Sequence, residues 1–265
     1  MRAHLVQLDI HWEDPEKNFE SVRSLLSSTK TTPGDLIALP ELFDSGFTLN
    51  TEKCADDAGT TLAFLQQLAN ETGCLIQGSR SIQPALDAPD RRAYNCATIT
   101  APDADAPVAE YIKIHPFSMG NELRAYQGGN TINAYTWESG SESLNACPAI
   151  CYDLRFPELF RAGAVQGAQL FVLGANWPDA RQHHWRSLLI ARAIENQAFV
   201  LGINRSGDDP HLHYAGGTIA VGPKGEILGE LDDQQAVLSV EIDPTQVTQW
   251  RTKFPLLEDI KIHSF

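Results

Sequence analysis

Cys151 follows the apolar run Pro148-Ala149-Ile150 and precedes Tyr152-Asp153-Leu154-Arg155-Phe156-Pro157, a pattern that reads as a strand leaving a sheet and turning into a helix opened by proline. A side chain on such a turn stands at the carboxyl end of the sheet. Backbone N–H groups there can hold an oxyanion, and the helix dipole favours a thiolate. Cys151 is therefore a candidate nucleophile, its ordinary alternative being a buried core thiol. Asp153 and Arg155 give it polar company that Cys54, Cys74, Cys96 and Cys147 lack; these four read as core or surface thiols. A free thiol is only slightly ionised at neutral pH, so a nucleophilic cysteine needs a base or a cation. One of the eight histidines is a possible partner, although no local Cys/His signature surrounds Cys151. A carboxylate is the other possibility. Glu41, in LPELFDSGF, sits where a short buried strand ends, a place suited to acid/base work, and otherwise reads as a loop carboxylate capping the next segment. Lys113 ends the strand-like VAEYIKI, directly before His115-Pro116-Phe117. A lysine in an apolar run usually snorkels to water; its chemical reading is a fixed cation beside a developing oxyanion.

Taken together, Glu41 in LPELF, Lys113 in YIKIHPF and Cys151 in CYDLRFPEL resemble, in order and approximate separation, the Glu-Lys-Cys constellation of the nitrilase superfamily of carbon–nitrogen hydrolases. The resemblance runs nearly end to end, through GANWPDARQHHW (174–185), ARAIENQAFVLGINRSG (191–207) and KFP (253–255). With SMGNELRAYQGGN (118–130), it is most similar to the bacterial omega-amidase-like group. Glu122 maps to a fourth family residue, a second Glu beside the nucleophile. Relatives commonly carry an acidic or polar residue before the lysine, where this chain has Ile112, and the change is expected on the pocket wall.

The resemblance implies a four-layer α-β-β-α sandwich, no cofactor, and homodimers that pair through their helices. It also implies a cysteine-dependent amidase acting on short omega-monoamides of dicarboxylates, such as 2-oxoglutaramate or 2-oxosuccinamate. The alternatives are another amide or N-carbamoyl hydrolase, deaminated-glutathione amidase included, or a non-catalytic binding relative, against which the intact trio argues. Amide hydrolysis explains the residue types. Glu41 would take the Cys151 proton, pass it to ammonia and then activate water against the thioester. Lys113, with the backbone N–H after Cys151, would stabilise the oxyanion. Glu122 would hold Lys113 or position the amide. Arg155 is the expected carboxylate anchor, because a guanidinium grips a carboxylate at two points; the alternative is a pair with Glu158 or Asp153. Phe43, Phe117 and Trp177 fall in loops beside the motifs and, with Tyr152, are expected to line the pocket, unless they simply pack. His183-His184 and His211-x-His213 lack a supporting carboxylate or cysteine pattern, and no metal site is expected.

These residues must be positioned by alternating elements. Strands are expected at 2–10, 35–41, 74–82, 93–100, 108–114, 145–153, 169–176, 198–205, 214–222, 225–230 and 236–242. Helices are expected at 15–30, 60–72, 157–167 and 180–197. The 101–107 stretch APDADAP and Pro223-Lys224-Gly225 read as hairpin connections. Strands alternating with helices, plus hairpins, predict an α/β fold with mixed sheets. Without repeats or a linker, residues 1–265 read as one carbon–nitrogen hydrolase domain.

Composition narrows the partners. Against 34 Asp+Glu stand 20 Lys+Arg, a net charge of −14, which repels nucleic acid and anionic lipid. Five cysteines without a C-x-x-C pair suit reduced thiols in the cytoplasm. No apolar run is long enough to span a bilayer, so the expected partner is a small amide substrate.

Overall fold

The computed structural model describes residues 1–262. In chain order these form β1 (Arg2–Gln7), α1 (Pro15–Ser27), β2 (Leu36–Ala38), α2 (Thr51–Cys54), α3 (Thr60–Thr72), β3 (Leu75–Ile82), β4 (Tyr94–Thr100) and β5 (Ala109–Ile112). The second half forms β6 (Tyr135–Ser139), β7 (Glu142–Ile150), α4 (Pro157–Val165), β8 (Leu170–Ala175), α5 (Gln182–Asn196), β9 (Phe199–Asn204), β10 (Ser206–Asp208), β11 (His213–Ala215), β12 (Ile219–Val221), β13 (Ile227–Glu230), β14 (Ala236–Glu241) and α6 (Thr245–Lys253).

Two six-stranded sheets share one plan. In the first, ordered β14-β1-β2-β3-β4-β5, β1, β2 and β3 run parallel and the flanking pairs antiparallel. In the second, ordered β13-β12-β9-β8-β7-β6, the parallel trio is β7, β8 and β9. Strand side chains alternate between faces, and that alternation builds the layers. Ala3, Leu5, Leu36, Ala38, Leu170, Val172, Phe199 and Leu201 meet between the sheets. The opposite faces of the same strands pack outward. Val6 and Ile37 pack with Val22 of α1 and Phe64 and Leu68 of α3, while Phe171 and Val200 pack with Phe160 of α4 and Leu189 of α5. The result is helix, sheet, sheet, helix, the expected α-β-β-α sandwich. Central strands buried on both faces read as unbroken apolar runs such as LFVLGA and FVLGIN.

Local signals place the helices. Asp14 caps α1 by accepting the Lys17 N–H, with Pro15 at the first helical position. Helix α3 stops at Gly73, whose φ of +69° is left-handed, and a Cβ there would lie 3.1 Å from Pro33.

Besides the short α2 and β10, which the sequence did not predict, four elements depart from expectation. The strand read over 145–153 ends at Ile150, because Cys151 takes a φ of +45° and opens a 3₁₀ turn. The run read over 214–222 breaks at Gly216 and Gly217, with φ of +64° and +74°, so β11 pairs with β10 in a separate hairpin while β12 joins the second sheet. Strand β6 forms where the sequence predicts no element, with Tyr135 and Trp137 facing inward between exposed neighbours. Helix α6 buries only Val247, so its sequence carries no apolar stripe. Both expected hairpins, β4–β5 and β12–β13, are antiparallel pairs. No helix among the described residues is long and apolar enough to cross a membrane.

Candidate active site

The carboxyl ends of the parallel strands converge. Glu41 lies just beyond β2, Cys151 directly follows β7, and Asn176 directly follows β8. Ligand crevices in open α/β sheets form at such strand ends. Lys113 follows β5, and its N–H bonds the Asn95 carbonyl on β4 at 2.9 Å.

The Lys113 ammonium is the hub. Nζ donates to Glu41 Oε1 at 2.7 Å and to the two Glu122 oxygens at 3.0 and 2.9 Å. Asn95 Nδ2 donates to Glu41 Oε1 at 2.8 Å and to Glu122 Oε1 at 3.2 Å. The Asn176 N–H reaches Glu41 Oε2 at 3.0 Å, and its Nδ2 reaches the Glu41 carbonyl at 2.7 Å. Cys151 Sγ lies 3.8 Å from the Asn176 carbonyl, beside the Glu41 carboxylate. Glu41, Lys113 and Glu122 are at most 1% exposed. Buried charges persist only when paired and hydrogen-bonded, and here every charge has several partners.

Burial pushes Glu41 up, but the Lys113 ammonium and the Asn176 N–H outweigh it and hold the carboxyl below the ordinary carboxylate range. Glu122 goes the other way: burial, reinforced by the Glu41 charge, prevails over Lys113 and raises it. Burial alone would lower Lys113; Glu122 and Glu41 instead raise it well above the usual lysine value. Burial and the Glu41 charge push the Cys151 thiol well above its usual value despite Lys113. This corrects the expectation of a dipole-stabilised thiolate. Cys151 opens a short 3₁₀ turn, and α4 begins only at Pro157, so burial dominates. The resting pair is a protonated thiol beside an ionised carboxylate.

Backbone strain gathers at these residues. Leu42 (φ +44°), Asn121 (φ +57°) and Cys151 (φ +45°) are left-handed non-glycine residues, each at or next to one of the clustered side chains. Such a conformation costs about 1–3 kcal/mol and persists only where the surroundings enforce it.

A cavity of about 570 Å³ opens over Cys151 and Lys113. Phe117, Tyr152, Arg155 and Trp177 line it. Phe43 does not. It is fully buried on the helix side of the first sheet, its ring 6.0 Å from that of Phe19 and 5.9 Å from that of Phe64. Phe47, from the same LPELFDSGF stretch, takes the wall instead, 5.5 Å from Lys113 Nζ. Ile112 is also absent from the wall, because it packs on Gly129, where an added Cβ would lie 2.9 Å from its own. The Arg155 guanidinium stacks 4.8 Å over Trp177, with two nitrogens 3.4 Å from His184 Nδ1. Among the described residues it has no carboxylate partner, so neither Glu158 nor Asp153 pairs with it. His211 packs edge-on against Trp12, His213 faces Asp208, and no cluster of three or more metal-ligating side chains occurs among the described residues.

The family model of carbon-nitrogen hydrolases matches residues 2–252. The chain belongs to the carbon–nitrogen hydrolase family. It is 35% identical to the omega-amidase YafV of Yersinia enterocolitica, over 98% of this chain and 96% of that one. It is 31% identical to the 2-oxoglutaramate amidase of Bacillus subtilis, over 97% and 96%. A CN-hydrolase superfamily protein from Xanthomonas campestris, solved with an arsenic adduct in its active site, superposes with a TM-score of 0.89 at 32% identity, covering 100% of this chain and 98% of that one. This carbon–nitrogen hydrolase is an amidase.

Sequence reasoning missed Asn95 and Asn176 in the hydrolase site, and the structural role of Asp153. Asn95 bridges the Glu41 and Glu122 carboxylates, Asn176 holds Glu41, and Asp153 ties the Cys151 turn to β5. Asn176 lies within the ANWP run that carried the resemblance. Asn95 had no signal beyond being a polar residue inside an apolar strand.

Proposed function

We propose that this amidase hydrolyses short omega-monoamides of dicarboxylates, of the 2-oxoglutaramate and 2-oxosuccinamate type, through a thioester on Cys151. The observation that carries the reading is the convergence on one cavity of Cys151, Lys113 and an Arg155 with no carboxylate partner among the described residues, with Glu41 beside the thiol. The names of the Yersinia and Bacillus relatives support the same substrate class.

Glu41 takes the thiol proton as Sγ attacks the amide carbon, so no free thiolate has to form in a buried site. Lys113 and the Tyr152 N–H, one of the first N–H groups of the 3₁₀ turn and without a partner inside it, stabilise the oxyanion. Collapse of the tetrahedral adduct expels the amine, which receives its proton from Glu41 and leaves as ammonia. A water molecule then gives its proton to Glu41 and attacks the thioester. Breakdown of the second adduct returns the proton to sulfur and frees the acid. Glu122 holds Lys113 in place and keeps its charge in the pocket. Arg155 receives the distal carboxylate.

We further propose a homodimer paired through the α4 and α5 layer, which leaves Val165 and Ile194 exposed, and a cytoplasmic setting, which suits five free cysteines. Sedimentation of the purified chain checks the dimer.

The central test measures ammonia release across small amides, with intact-mass spectrometry during turnover. Native protein should release ammonia from carboxylate-bearing omega-amides and carry an acyl adduct. Cys151→Ala should do neither while keeping its circular dichroism. Undiminished ammonia release by Cys151→Ala would falsify the assignment.

A further inference from the structure

We infer that Arg181 forms a second anion-binding position in the pocket, so that amides with another carboxylate besides the one held at Arg155 bind more tightly than those with one. The inference rests on the proposed reaction at Cys151, but not on which short amide is natural. Arg155 and Arg181 both line the cavity, and each guanidinium lies over a different aromatic ring: Arg155 over Trp177 at 4.8 Å, Arg181 over Phe117 at 5.6 Å. The two rings hold the two cations on separate shelves. Trp177 also donates its indole N–H to the Arg181 carbonyl at 2.8 Å, which secures the backbone of the second shelf to the first. Phe117 has little freedom, because a Cβ on Gly120 would lie 2.5 Å from its ring.

Neither cation is neutralised from within. Among the described residues no carboxylate pairs with the Arg181 side chain, and the carboxylates on the cavity wall are engaged elsewhere. Glu13 accepts from Thr48 Oγ1 at 2.7 Å and Lys53 Nζ at 2.9 Å. Asp209 accepts from the Tyr214 hydroxyl at 2.6 Å and from the His211 and Leu212 N–H groups at 2.7 Å. A chain of net charge −14 thus presents inside one cavity two guanidiniums that have no carboxylate partner among the described residues. Guanidinium over an aromatic face leaves its N–H edge free for an oxyanion. A cavity of about 570 Å³ also holds far more than a five-carbon amide, so a second anionic group has room. That carboxylate belongs either to the acyl portion or to the amine that departs.

The test measures binding to the Cys151→Ala protein, which separates this subsite from turnover. The probes are succinamate, with one carboxylate; tricarballylate monoamide, with two on the acyl portion; and N-succinylglycine, with its second on the amine. At least one two-carboxylate probe should bind more tightly than succinamate. R181Q in the same background should weaken that probe, relative to succinamate, by about ten- to a hundredfold. The probe that responds identifies the portion carrying the second carboxylate. R181K should restore part of the loss, since it returns the charge without the two-point grip. Equal weakening of all three probes, or of none, overturns the inference. Failure of the reaction reading shows separately, as native protein that releases neither ammonia nor an amine from any amide.

Discussion

The Asp153 carboxylate accepts the Tyr111 hydroxyl at 2.7 Å. Through that bond β5, which delivers Lys113, is held to the turn that delivers Cys151. The same carboxylate accepts the Ile150 N–H at 3.0 Å and the His115 N–H at 3.0 Å, and faces His115 Nδ1 at 2.8 Å. Asp153 is fully buried; burial of the Tyr111 hydroxyl, reinforced by the Asp153 charge, pushes it well above the usual tyrosine value. Two sheets that share no ladder are thereby joined beside the reacting atoms.

Tyr111→Phe removes that link and keeps the ring. One buried hydrogen bond contributes about 1–1.5 kcal/mol, and Asp153 retains its backbone donors, so the protein should remain folded with a modestly lower Tm. Turnover should fall further than stability alone explains, by roughly tenfold in kcat, because the spacing of Lys113 and Cys151 loosens. Steady-state kinetics beside a melting curve checks this. An unchanged kcat with a lowered Tm would make the bond purely structural.

The pH profile separates a carboxylate base from a histidine. Glu41 must be ionised to act, and its carboxyl is held below the ordinary range, so activity is present above that point and lost as pH falls through it. Lys113 must be charged, and its ammonium is raised, so activity is lost only above the usual lysine range. Between these limits kcat/KM should be flat, from about pH 5 to 9. An inflection near the ordinary histidine value that persists in Glu122→Gln, whose native carboxyl is raised by burial, would reopen a Cys/His pair.

Arg155→Lys addresses the first carboxylate. Lysine keeps the charge and loses the two-point grip, so kcat/KM for 2-oxosuccinamate should fall by about 10- to 100-fold. A neutral amide of similar length should be affected far less. The informative quantity is the ratio of the two substrates in native and variant protein; a ratio that does not move would make Arg155 structural.

Asp44 predicts a stability effect away from catalysis. Burial raises its carboxyl to about 6, against the hydrogen bonds from Thr61 and Ser45. A folded value above the unfolded one means that the native state binds the proton more tightly. The contribution is fully present below about pH 4 and is lost as pH rises through 6. Asp44→Asn cannot ionise, so denaturant unfolding should show native protein losing up to about 3 kcal/mol relative to the variant between pH 4 and 8. Parallel curves for the two proteins would show that Asp44 does not ionise in the fold.

The chemistry-bearing residues and the layered α/β plan were legible in the sequence. Nucleophile, base and cation are defined by side-chain type and by position at strand ends, and period-two or unbroken apolar runs mark half-buried and central strands. What the chain did not disclose depended on distant partners. Asn95 reads as one more strand residue until β4 brings its amide between Glu41 and Glu122, side chains that lie 54 and 27 residues away in sequence. Phe43 and Phe47 occupy one loop with the same side chain, and only the packing of α1 and α3 decides that one enters the core while the other faces the cavity. The ionisation of the Cys151–Glu41 pair was equally hidden. A helix-dipole argument predicts a thiolate, yet the pair sits in a desolvated pocket with one ammonium, and Lys113 and the Asn176 N–H stabilise the carboxylate instead. Residue type determines which charges are possible; burial and the partners gathered by the tertiary fold decide which of them form.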